Sequence, residues 1–237
     1  MRSRSASLVA AVAALVIGSV APAGAQQGDR VYTAPRLPRP LGEARVVLIP
    51  AAVHLYELTA TGAEPKADWT ATAKTHIDAA LAAHLGTKVA SVTPYALPTR
   101  EHQAEHIQVL KLHGLVVRAI FAHYLNPHRQ LPNKAGAFDW SLGEMARVLP
   151  GEQEADYALF TQFADAYSSG GRVAMNVAAA VFGGVIQTGR QVILGTLVDL
   201  ATGDIVWLNY HTDASSDLRT PDSAAKAVSK LLRDLPR

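Results

Sequence analysis

Hydrophobic and polar positions change period several times along this chain, and each change marks an element. Arg45-Val46-Val47-Leu48-Ile49-Pro50 is a short β-rich run. Val53-His54-Leu55-Tyr56-Glu57-Leu58 then alternates, with Val53, Leu55 and Glu57 on one side and His54, Tyr56 and Leu58 on the other, as a half-buried strand does. From Asp68 the period lengthens. Trp69, Ala73, Ile77, Ala80, Leu81 and His84 recur at helical spacing as far as Gly86, so one apolar stripe must lie on a sheet. A strand over Val89 to Val92 is stopped at Thr93-Pro94, and Pro98-Thr99 opens a long helix that ends near Asn126-Pro127. The second half of that helix, Leu110 to Tyr124, is apolar on more than one face, which predicts burial on more than one side.

Pro132, Asn133 and Gly136 make Leu131 to Phe138 a loop, and Ser141 to Leu149 reads as a short helix closed by Pro150-Gly151. Tyr157-Ala158-Leu159-Phe160-Thr161-Gln162-Phe163 looks like a central strand. Val192 to Leu200 and Ile205 to Tyr210 are two more strands, joined by Ala201-Thr202-Gly203-Asp204 with glycine where a positive φ is wanted. Thr220-Pro221-Asp222 starts a last helix whose inner face is Ala224, Val228, Leu231, Leu232 and Leu235. Runs of strands mixed with helices in this order predict an α+β fold, an α/β sandwich with one mixed, mostly antiparallel sheet covered by helices.

Residues 1–25 carry a different pattern. Arg2 and Arg4 precede an apolar run from Leu8 to Val20, and Ala23-Gly24-Ala25 forms a small-x-small cleavage site, so this stretch reads as a signal peptide for export, most simply into a bacterial periplasm. Residues 26–43, with Pro35, Pro38 and Pro40, read as an extended tether. Residues 44–237 are then expected to form a single α/β domain. That stretch is long enough to bury a core without disulfides, and the chain contains no cysteine. The missing cysteine excludes a lipid anchor at the cleavage site, thiolate zinc sites and thiol nucleophiles. Of the 22 Lys and Arg, two lie in the leader, so the remainder balances the 20 Asp and Glu. A neutral mature chain offers no electrostatic attraction for nucleic acid.

His102-Gln103-Ala104-Glu105-His106 matches the H-x-x-E-H pattern in which two histidines one turn apart hold zinc and the glutamate works on the bound water. His113 lies seven residues beyond His106 on the same stripe, so His102, Glu105, His106 and His113 are the metal-ligand candidates. The inverted zinc peptidases that carry this pattern also need a downstream glutamate ligand, and no Glu follows Glu154 here. The competing reading is a polar first half of a helix facing solvent, with His113 satisfied at the edge of the core. Ser141 and Ser168-Ser169 lack the setting of a nucleophile elbow, and Gly183-Gly184 and Gly189 lack the spacing of a phosphate loop. No residue set specifies an enzyme, and no cofactor is expected. Trp140, Trp207 and Tyr210 read as sheet packing rather than a stacking surface. Val173 to Ile186, apolar and free of charge between Arg172 and Arg190, reads either as a buried or intersubunit segment or as one that touches a membrane, and it is shorter than the roughly 20 residues of a span.

Phe138 to Gly143 (FDWSLG), Asp156 to Phe160 (DYALF), Ser168 to Ala174 (SSGGRVA), Leu197 to Asn209 (LVDLATGDIVWLN) and Asp217 to Arg219 (DLR) resemble an uncharacterised family of exported proteobacterial proteins. More distantly, the order of elements and the D-x-x-T-G-x-x-x-W hairpin are similar to the periplasmic α/β modules of the curli-secretion lipoprotein, the lipoprotein activators of penicillin-binding proteins, and the N-terminal domain of TolB. The resemblance implies a non-catalytic interaction module of the cell envelope whose partner is an envelope protein or a second copy of the chain. It implies structural roles in the hairpin for Asp199, Gly203 and Trp207, and it names no catalytic position.

Overall fold

The computed structural model describes residues 30–59, 62–134, 137–149, 154–168, 191–213 and 217–236; residues 1–25, expected to be a signal peptide, and the 173–186 segment lie outside them. Eight strands form one mixed sheet: β1 (Arg30–Thr33), β2 (Arg45–Leu48), β3 (Ala52–Thr59), β4 (Gly62–Pro65), β5 (Ser91–Pro94), β6 (Tyr157–Ser168), β7 (Gln191–Asp199) and β8 (Ile205–Asp213). Helices α1 (Ala67–Leu85), α2 (Gln103–Ala119) and α3 (Pro221–Leu231) pack on it, giving the α/β sandwich expected from the pattern.

β6 is the centre because its 12 residues are long enough to carry two short neighbours end to end. Pro50 breaks the chain between β2 and β3, so β2 pairs in parallel with Tyr157–Leu159 and β3 with Gln162–Ser168 along the same edge of β6. β7 and β8 follow antiparallel on the other edge, and β1 closes that side against β8. β5 extends β2 in parallel and β4 extends β3 antiparallel. Four of these seven pairings are antiparallel.

Because side chains alternate along each strand, the sheet feeds two cores. On one face, Val53, Leu55, Tyr157, Leu159, Phe163, Ile193, Leu197 and Trp207 meet Ala73, Ile77 and Leu81 of α1 and Ala224, Val228 and Leu231 of α3. On the other, Val47, Ala158, Phe160, Leu194, Val198 and Leu208 meet Val109 and Val117 of α2 and Ile120 just beyond it. Gly195 is required under α3, since a Cβ there would stand 2.9 Å from the Trp207 ring. Trp207 Nε1 donates to Asp234 O at 2.9 Å and Asn209 Nδ2 to Leu231 O at 2.7 Å, so β8 satisfies carbonyls at and beyond the end of α3.

Several boundaries moved from their sequence positions. The stretch expected to be a tether carries β1. Beyond β1 it is tied down by Tyr157, whose hydroxyl accepts from Arg39 N (2.9 Å) and donates to Arg39 O (2.8 Å), and by fully buried Leu41. A proline-rich composition marks extended backbone, and extended backbone can add to a sheet edge as readily as span solvent. The long helix begins at Gln103 rather than Pro98, and after Ala119 it widens into a π-turn over Ile120–Tyr124. The 141–149 helix is a 3-10 turn over Gly143–Val148. No described helix is long and apolar enough to cross a membrane.

Candidate interaction site

The H-x-x-E-H residues do not converge. His102 and Glu105 side chains are 58% and 54% exposed and face each other at 3.4 Å on the outside of α2. His106 is turned inward, only 3% exposed, with Nδ1 2.8 Å from the Tyr95 hydroxyl. The expectation that this half of the helix faces solvent is therefore corrected at His106. It shares the stripe of Val109, Val117 and Ile120, and the 3.6-residue period rotates it onto the sheet. His113 is further along the same stripe, its Nε2 2.7 Å from the Thr196 hydroxyl and its ring stacked on Phe160. Among the described residues, no three His, Asp or Glu side chains gather as a metal-binding group.

The D-x-x-T-G hairpin residues have architectural contacts. Asp199 Oδ1 accepts from Ala201 N (2.7 Å) and Thr202 N (3.1 Å), and Asp199 O accepts from Gly203 N (2.8 Å). Gly203 has φ +80°, which an L side chain rarely adopts.

A polar cluster lies at the opposite end of β6 and β7, where the sheet meets the N-terminal ends of α1 and α3. Asp165, 5% exposed, sits in the middle of an apolar strand on the α1–α3 face. Its Oδ1 accepts from Ala166 N at 2.8 Å and its Oδ2 from Gln191 Nε2 at 3.0 Å, and the Tyr167 hydroxyl donates to the same carboxylate. Burial raises the Asp165 carboxyl above the usual carboxylate range despite these donors. The same hydroxyl accepts from Leu218 N at 2.9 Å, which anchors the 217–219 turn. Burial first, and then the Asp165 charge, push the Tyr167 phenol upward, so it stays a donor to that carboxylate.

Arg219 extends the cluster to the surface. Its Nε and Nη2 make a bidentate pair with Asp217 at 2.8 and 2.7 Å, which holds the Asp217 carboxyl below its ordinary range. The guanidinium lies 4.2 Å from the Tyr167 ring centre and 4.5 Å from that of Trp69, and the two rings meet edge to face at 5.7 Å. Lys66 approaches the Trp69 ring at 5.6 Å while paired with Glu57. The rim is thus a half-buried Trp, Tyr and Arg held rigid from beneath by a buried carboxylate.

Sequence reasoning did not assemble this site. Two signals were present in it: an aspartate inside the apolar run Phe163-Ala164-Asp165-Ala166-Tyr167, and the Asp217-Leu218-Arg219 motif. What brings them together is a pairing between strands and a turn about fifty residues apart.

No family model and no curated relative matches the chain. Among solved structures there is a distant structural similarity to the PelC dodecamer from Paraburkholderia phytofirmans, at 14% identity and a TM-score of 0.37 over 89% of this chain and 99% of that one. A single-substitution variant of the same PelC dodecamer is similar at 16% identity and a TM-score of 0.37, over 86% of this chain and 94% of that one.

Proposed function

We propose that the protein is an exported, non-catalytic binding or assembly module of the bacterial cell envelope, and that the Trp69–Tyr167–Arg219 rim is the surface it presents to its partner. The rim is the observation that carries this reading. Tryptophan, tyrosine and arginine are the residue types that dominate binding energy at protein interfaces, and here all three are preorganised on one another. The export pattern of residues 1–25, the balanced charge beyond it and the family resemblance support the same reading.

A photoreactive amino acid at Asp68, exposed beside Trp69, tests it in intact cells. The expected product is a covalent adduct with an envelope protein or a second copy of the chain, lost in Arg219→Ala and absent when the probe is placed at Gln108 on the outer face of α2. Equal labelling from both positions, or none from Asp68, would remove the rim from the proposal. The zinc-hydrolase reading of the H-x-x-E-H segment requires His106 to leave Tyr95. Stoichiometric zinc in purified protein, abolished in His106→Ala, would restore it.

A second reading assigns self-association or membrane contact to residues 173–186. The observation in its favour is that the described flanks, Ser168 at the end of β6 and Gln191 at the start of β7, lie at the same rim. Val181→Asp should abolish oligomers or vesicle binding and leave the monomer folded. An unfolded Val181→Asp chain would instead make the segment core.

A further inference from the structure

Two histidines tie α2 down, His113 to the sheet and His106 to Tyr95 just beyond the end of β5. His113 stacks on Phe160 of β6 with ring centres 3.8 Å apart and planes 10° from parallel, and its Nε2 meets the Thr196 hydroxyl of β7 at 2.7 Å. His106, two turns earlier, is buried against the Tyr95 hydroxyl.

Among the described residues, no acid faces His113 from any element packed against it. On this face β2 presents Val47, β6 presents Ala158 and Phe160, β7 presents Leu194, Thr196 and Val198, and β8 presents Leu208 and Tyr210. From the 143–148 turn, Glu144 and Arg147 are exposed; on α2 itself Lys111 and Glu105 are exposed and Arg118 is half-buried. Around His106 the titratable neighbours are Tyr95, His102 and Glu105. His54 of β3 lies on the same side of the sheet, half-buried and with no hydrogen-bond partner for Nε2. A proton on His113 would gain the Phe160 ring face but no counter-charge.

We propose that α2 is an acid-released layer: protonation of His113 and His106 opens α2 from the sheet and bares the apolar face built on Phe160, Leu194 and Leu208, while α1 and α3 stay docked. Burial holds the His113 imidazole down at about 3 and lowers His106 and His54 as well. In the open form each returns toward about 6.5. The folded value lies below the open one, so docking is complete above about pH 6.5 and weakens as pH falls toward 3. With His113 alone titrating, the open population rises roughly tenfold per pH unit across that window. The α1–α3 layer is set against this, because its buried Asp165 is shifted upward and so favours the folded state in acid. On that layer burial, and then the Lys88 charge, lower His84, half-buried near the end of α1.

Hydrogen exchange read by mass spectrometry between pH 7 and 3, with rates normalised to an unstructured peptide, tests the device. Peptides covering 103–119 are expected to lose protection with a midpoint between pH 3 and 6.5, at pH values where 67–85 and 221–231 remain protected. His113→Phe keeps the ring stack without the titration and should move that midpoint down by at least one pH unit. The double variant His113→Phe, Thr196→Val does the same with no hydroxyl left unpaired, should the single variant not fold. Loss of protection in all three helices at one midpoint, or a midpoint unchanged in the variants, would overturn the proposal.

Discussion

Gly203 gives the sharpest test of how the hairpin is built, because three glycines of this chain differ in only two physical respects. Gly203 has φ +80°, and a Cβ on it would fall 2.1 Å from Gly143 O and 2.6 Å from Gly143 N, which are backbone atoms that cannot rotate away. Gly143 has φ +65° with nothing within 4 Å of its added Cβ, and Gly42 has neither a positive φ nor a neighbour. Alanine at 203 therefore incurs the left-handed strain, about 1 to 2 kcal/mol. It also forces the turn away from residues 140–143, which breaks Leu142 N to Gly203 O and Ile205 N to Trp140 O, both 2.8 Å. At about 1 kcal/mol each these bring the total to about 3 to 4 kcal/mol. Gly143→Ala incurs only the strain, about 1 to 2 kcal/mol, and Gly42→Ala is expected to stabilise by about 0.5 kcal/mol through the unfolded chain. Urea denaturation followed by circular dichroism resolves these steps, since with a slope of about 2 kcal/mol per molar the 203 variant loses roughly 1.5 to 2 M in midpoint. If Gly203→Ala came within about 1 kcal/mol of Gly143→Ala, the claim that backbone contact dominates at this turn would fail.

Three other outcomes follow from the packing. Asp165→Asn removes a buried charge whose folded pKa is raised; wild type is favoured below the unfolded value and loses that advantage as pH rises, so the variant should gain relative stability from about pH 4 upward. Thermal melts showing an equal difference at pH 4 and pH 8 would contradict that sign. Tyr157→Phe loses both bonds to Arg39 and should lower stability by about 1 to 2 kcal/mol while freeing residues 34–43 to a protease, whereas unchanged cleavage would show that Leu41 alone anchors the stretch. Gly195→Ala drives a Cβ into the Trp207 ring, so its cost should shrink by at least about 1 kcal/mol in a Trp207→Phe background; additive costs in a double-mutant cycle would deny the contact.

The chain's own periodicities settled which segments are strands and which are helices wherever one face had to be apolar over several residues. α1, α3, β3 and the β7–β8 hairpin were readable because period, stop residue and the turn glycine all lie within a few positions of one another. The same locality left β1 and β4 unread, since Arg30–Thr33 and Gly62–Pro65 lack the consecutive β-branched or aliphatic residues that marked the equally short β2. Only the tertiary structure set β2 and β3 on one edge of β6, because ladder hydrogen bonds come from backbone groups common to every sequence. It also decided both chemical questions. Rotation of α2 sends His106 inward and leaves His102 and Glu105 in solvent, so an apparent metal motif is divided between two environments. Asp165, Tyr167 and Arg219, unremarkable at their separate positions, become one rigid rim, because burial and distance are properties of the packed chain and not of spacing along it.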